Sequence, residues 1–74
     1  MSAFNIKGRC GTLGITLNEL WKEVIASDPR FKKVSYNMFC NMHRGRYDYG
    51  IGPDVISAAH EILCQKEAVR NAHG

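Results

Sequence analysis

Apolar residues recur along this 74-residue chain at intervals of three and four, the spacing of helices packed on a core, and no stretch carries a convincing strand alternation. Ile6, Cys10 and Leu13 make a first short stripe. Gly8 and Gly11 interrupt it, each at a cost of about 1 kcal/mol relative to Ala, so this helix must be held by packing; Gly14 breaks it. Residues 1–5 read as a loose arm. Thr16-Leu17-Asn18-Glu19 is a capping box, and Leu17, Leu20, Trp21 and Val24 continue it as a stripe, predicting a second helix over 17–26 with Trp21 as a core anchor. Ser27-Asp28-Pro29 is turn chemistry and opens a connection over 27–33, under which Phe31 is expected to tuck.

The third helix is predicted over 35–44. Ser35 is its N-cap, Val34 and Phe39 have the spacing of a hydrophobic staple, Met42 follows Phe39 inward, and Gly45 can take the left-handed conformation that ends a helix. A turn follows over 48–52; Tyr47 and Tyr49 could touch a backbone phosphate, but we assign them to the core edge, and Gly52-Pro53-Asp54 suits a helix start. Val55, Ile56, Ala59, Ile62 and Leu63 then close the core. That last helix is predicted to end near Ala68, with 69–74 frayed. The expected fold is all-α: one domain over 1–74, built as a small bundle of four short helices.

Composition narrows the class. The chain sits near the lower size limit for an unstapled core. No run approaches the roughly 18 apolar residues of a spanning helix, and the start lacks a signal-peptide pattern, so we expect a cytoplasmic protein without membrane contact. Cys10, Cys40 and Cys64 are odd in number and widely spaced, which favours reduced thiols over a disulfide framework. Cys40-x2-His43 and His60-x3-Cys64 could each offer two metal ligands, but neither has finger or knuckle context; core cysteines and surface histidines are expected, with no metal and no cofactor. There are no paired carboxylates, no phosphate loop and no nucleophile–base set, Cys40 and His43 lacking a third orienting group. An enzyme acting on a small-molecule substrate is therefore not expected.

Charge placement points to a partner. The net charge is only +3, yet Arg30, Lys32, Lys33, Arg44 and Arg46 are half of the ten Lys and Arg, and no Asp or Glu lies between Pro29 and Tyr47. The outward side of the third helix would show Tyr36, Asn37, Cys40, Asn41 and Arg44. Amides, a phenol and guanidinium groups suit base edges and phosphates. Single-stranded RNA is the less favoured nucleic acid, because the few aromatics are assigned to the core. The same face could instead meet an acidic protein surface, with Phe31, Tyr36, Met38 and Met42 as adaptable contacts; the chain would then be a small interaction module, a phage-encoded inhibitor or antirepressor.

The runs GITLNELWKEV, VSYNMFCNMHRGR and GPDVISAAHEIL together resemble the phage-repressor/Cro-like helix-turn-helix family. Gly14, Ile15, Thr16 and Leu20, then Val34, Ser35, Phe39, Met42 and Gly45, fall at that family's patterned positions, and the following helix is matched by 55–63. The resemblance covers about 6–63. It implies a lambda-repressor-like fold and a sequence-specific DNA-binding protein, a small phage or mobile-element transcriptional regulator of a bacterial host cell. The helix over 35–44 would enter the major groove of double-stranded DNA, with Tyr36, Asn37, Asn41 and Arg44 at base edges. Arg30, Lys32, Lys33 and Arg46 would hold phosphates, and the helix start at Thr16 would add backbone N–H groups. A homodimer is implied, with the last helix as its seam. Three positions depart from the pattern. Leu17 replaces a phosphate-clamping glutamine, Trp21 stands where a small residue is usual, and the connection after Ala26 is longer than a tight turn.

Overall fold

The structure, a computed structural model, describes residues 5–44 and 50–73. Four helices form a small all-α bundle, with no strand among the described residues. Helix α1 spans Ile6–Leu13, α2 Leu17–Ser27, α3 Tyr36–His43 and α4 Gly52–His73, and a single 3₁₀ turn, Pro29–Phe31, lies between α2 and α3.

Local chemistry accounts for most of the boundaries. Gly14, at φ 75°, closes α1, and the N–H of Ile15 reaches back to the Cys10 carbonyl at 3.0 Å, the bond pattern of a Schellman end. The capping box at α2 is present in full: the Glu19 N–H donates to Thr16 Oγ1 and the Thr16 N–H donates to the Glu19 carboxylate. Asp28 accepts from the Arg30 N–H at 2.9 Å and so caps the 3₁₀ turn. Ser35 accepts from the Met38 N–H at 3.2 Å and caps α3. Gly45, assigned to the close of α3, and Tyr47 and Tyr49, assigned to the core edge, lie outside the described residues, as do 1–4 of the arm.

The core gathers one stripe from each helix. Ile6 and Cys10 come from α1, Leu20 and Val24 from α2, Phe39 and Met42 from α3, and Val55, Ala59 and Leu63 from α4. Phe31 and Val34, from the connection, complete it. The staple pair Val34 and Phe39 is thus buried as a unit, which turns the opposite side of α3 to solvent. Helix α4 packs against all three others, most extensively α2.

Two boundaries differ from the sequence-based expectation. Asn5 is not part of a loose arm: it takes a left-handed conformation (φ 49°), and its carbonyl accepts the Arg9 N–H at 3.0 Å. Helix α4 runs on to His73, past the end expected near Ala68. Its 22 residues correspond to about 33 Å of helix and supply the long dimension, 37 Å, of the molecule. The apolar repeat stops at Leu63, but polar anchors take over. Lys66 pairs with Glu23 at 3.0 Å, Arg9 pairs with Glu67, and the Arg70 guanidinium donates to the Thr12 carbonyl.

Phe31 is the clearest test of this packing. Truncation by Phe31→Ala should cost about 3–5 kcal/mol, comparable with the whole stability of a domain this small. Val69→Ala, at an exposed site, should stay within about 0.5 kcal/mol, both being read by urea unfolding followed by circular dichroism.

Candidate nucleic-acid interface

Helix α3 is amphipathic in the sense the spacing predicted. Phe39 and Met42 are buried, whereas Tyr36, Asn37 and Arg44 are exposed and Cys40 and Asn41 are half-buried. The four residues assigned to base reading therefore share one solvent-facing side of a single short element. No other helix covers Asn37 or Arg44.

The beginning of this helix is clamped by Trp21. Its indole N–H donates to the Val34 carbonyl at 2.9 Å, immediately before the Ser35 cap. The same ring meets Tyr36 edge-on, with centroids 5.9 Å apart and planes at 71°. The bulky residue at this position is accommodated because it stands half-buried at the edge of the α2–α3 crossing, while Phe31 fills the space under the longer connection. A hydrogen bond with the Cys40 thiol pushes the Tyr36 phenol above its ordinary value, and a phenolic O–H can both donate and accept.

The residues assigned to phosphates divide into two groups. Lys32 and Lys33 are exposed at the α3 entrance, and no carboxylate among the described residues pairs with them, nor with Arg44. Arg30 is already engaged. Its guanidinium donates twice to Asp28 Oδ2, at 2.9 and 3.1 Å, stands 3.6 Å from Asp54 Oδ2, and lies 5.5 Å from the Phe31 ring centroid. These bonds hold the Asp28 carboxyl below its ordinary range and raise Arg30. At Thr16 the N–H and hydroxyl both donate to the Glu19 carboxylate, at 3.3 and 3.2 Å, so an arriving phosphate would meet a negative group there. Arg46 lies outside the described residues.

Two features of this region escape a sequence reading. Lys7, exposed on α1, comes close enough to α3 for its charge to act on His43. It adds to the positive charge around the C-terminal end of α3, and only the tertiary fold, in which α1 and α3 both pack on α4, brings it there. His43 itself is buried, contrary to the expectation of surface histidines. It is 6 % exposed, its ring is tilted against Phe39 at 6.2 Å, and its Nε2 has no hydrogen-bond partner among the described residues. Burial first, then the charges of Arg44 and Lys7, push its pKa down.

The three cysteines are free thiols: Cys10 is buried, Cys40 half-buried and Cys64 exposed. Among the described residues no group of three or more His, Cys, Asp or Glu is arranged to hold a metal ion, and no helix is long and apolar enough to cross a membrane. Compared with known proteins, the chain matches no protein-family model, no curated protein and no solved structure.

The buried imidazole makes stability pH-dependent in a defined direction. Above the ordinary value of 6.5, His43 is neutral in both the folded and unfolded chain, and its contribution is fully present. As pH falls from 6.5 toward the lower folded value, the unfolded chain takes up a proton the folded chain refuses, and stability drops. Urea unfolding midpoints should therefore decline as pH falls below 6.5, and His43→Phe should flatten that decline.

Proposed function

We propose that this protein is a sequence-specific binder of double-stranded DNA, a small helix-turn-helix transcriptional regulator of the phage or mobile-element kind. The observation that carries this reading is the exposed α3 face: Tyr36, Asn37, Asn41 and Arg44 on one side of a clamped helix, with Lys32 and Lys33 at its entrance and Lys7 near its exit, and no acidic residue between Pro29 and Tyr47. Helix α3 enters the major groove. Asn37 and Asn41 suit the paired donor and acceptor of adenine, Arg44 suits the two acceptors of guanine, and Tyr36 offers a hydroxyl held in place by Trp21. Lys32, Lys33 and Lys7 hold phosphates, joined by Arg46. Arg30 contributes only on leaving Asp28, and Thr16 only if Glu19 swings away, so both are secondary in this arrangement.

One such domain makes few base contacts, and two copies on a two-fold site supply the missing specificity, as in other helix-turn-helix dimers. Helix α4, the longest element, with Val69 exposed near its end, is the seam we assign to that pairing.

Selection from a random duplex pool should return a palindromic consensus with two copies bound. Asn41→Ala should cost about 1–3 kcal/mol at one base position and leave binding to random duplex in place, whereas Lys33→Ala should weaken all sequences alike and flatten the salt slope by about 1. Arg44→Glu combined with Lys32→Glu should abolish the gel shift while circular dichroism stays helical. Undiminished binding by that double variant would refute the assignment, and no binding to any duplex at low salt would favour the protein-interaction module instead.

A further inference from the structure

The two ends of α3 are held differently. At its start the Trp21 indole N–H ends on the Val34 carbonyl and Ser35 caps the first turn, so Tyr36 and Asn37 rest on a fixed base. Its finish has no comparable clamp among the described residues. His43 is the last residue of the helix, in the turn whose carbonyls meet no following helical N–H. Apolar packing keeps its ring in place: the ring is buried, tilted against Phe39, and Nε2 has no hydrogen-bond partner among the described residues.

That seating suits only the neutral ring. A neutral imidazole has one N–H and one acceptor nitrogen, whereas imidazolium has an N–H on both. In the charged form Nε2 therefore carries a buried donor with nothing to receive it, and the ring carries a buried charge. Among the described residues the charges that act on it are both positive, Arg44 of its own helix and Lys7 from α1. Helices α2 and α4, which also pack on α3, add none. A backbone hydrogen bond of His43 itself favours the proton and is outweighed by these charges and by burial. A protonated ring escapes the cost by leaving the core. Because His43 stands at a helix end, leaving breaks few backbone hydrogen bonds and spares the apolar stripes of α1, α2 and α4.

We infer that His43 is a proton switch on the reading face: protonation drives the imidazole out of the core and releases the last turn of α3, while the rest of the bundle stays folded. Asn41 and Arg44 flank His43 in that turn and leave the face with it, whereas Tyr36 and Asn37 stay on the clamped end. Seating is complete above pH 6.5, where the ring is neutral whether seated or released, and is lost as pH falls toward the lower value of the seated ring. The release belongs to the fold; its effect on DNA rests on the reading of α3 proposed for this protein. Sequence-specific binding is then lost on acidification, while Lys32 and Lys33, at the other end of the helix, still hold phosphates.

The test follows the full chain by NMR as pH is lowered from neutral, reading the His43 ring signals and the protection of backbone amides from exchange. Protection of the amides of 41–44 should vanish as the His43 ring titrates, and that of α2 should remain. One pH unit below the midpoint of that titration about a tenth of the chains keep a seated ring, so affinity for the selected duplex should be about tenfold weaker than at neutral pH. Affinity for random duplex should hold or rise over the same range, because the chain gains positive charge. In His43→Phe both the protection of 41–44 and the specific affinity should become insensitive to pH; if phenylalanine overpacks the site, His43→Leu carries the comparison. A ring that titrates at or above 6.5, protonation with 41–44 still protected, or loss of α2 protection together with that of 41–44 would each overturn the switch. So would specific binding that tightens on acidification in the wild type but not in the variant, since the charged ring would then be meeting phosphate. Failure to bind any duplex at neutral pH would instead overturn the DNA reading, and amide exchange would still decide whether the turn is released.

Discussion

The seating of α3 depends on keeping Phe31, Val34 and Phe39 out of water together. These three side chains come from the 3₁₀ turn, the residue before the cap and the middle of α3, and all are essentially buried. Because a helix repeats every 3.6 residues, sinking Phe39 and Met42 leaves little choice about what faces outward. The solvent-facing side then belongs to Tyr36, Asn37, Asn41 and Arg44. The Trp21 indole adds direction to this non-directional force, since its N–H ends on the carbonyl of Val34 and sets where α3 begins. Apolar burial holds the helix down, and one hydrogen bond decides its register along the bundle.

Electrostatics then divides the surface. The acids of α2, the connection and α4 are largely answered within the chain: Glu23 by Lys66, Asp28 and Asp54 by Arg30, Glu67 by Arg9. Exposed pairs of this sort add little stability, the typical figure being about 0–1 kcal/mol. Their consequence is spatial. They neutralise one flank and leave Lys7, Lys32, Lys33 and Arg44 unanswered on another, among the described residues. A net charge of +3 thereby becomes a local positive surface around α3, the arrangement on which a DNA-binding reading rests.

The histidines and cysteines illustrate how the same spacing acquires different chemistry. Cys40-x2-His43 and His60-x3-Cys64 look alike as candidate ligand pairs. In the fold, His43 turns inward against Phe39, in an environment made positive by Arg44 and Lys7, while Cys40 stays near Tyr36. His60 and Cys64 remain accessible and receive the Arg9 guanidinium instead. Among the described residues neither pair gathers further ligands, and in each case a cation of the chain itself stands nearby.

Local signals along the chain were sufficient for the existence and order of the four helices, the capping box at Thr16, the Ser35 cap, the Gly14 stop and the burial of Phe31. Each of these is settled within a few residues by backbone donors, side-chain acceptors and periodicity. The extension of α4 to His73, the clamp from Trp21 to Val34, the approach of Lys7 to α3, the burial of His43 and the cluster around Arg9 were decided only by the tertiary structure. Arg9 and Glu67 are 58 positions apart, and Trp21 and Val34 are 13 apart. Contacts of that kind arise from how helices cross, which no local spacing encodes.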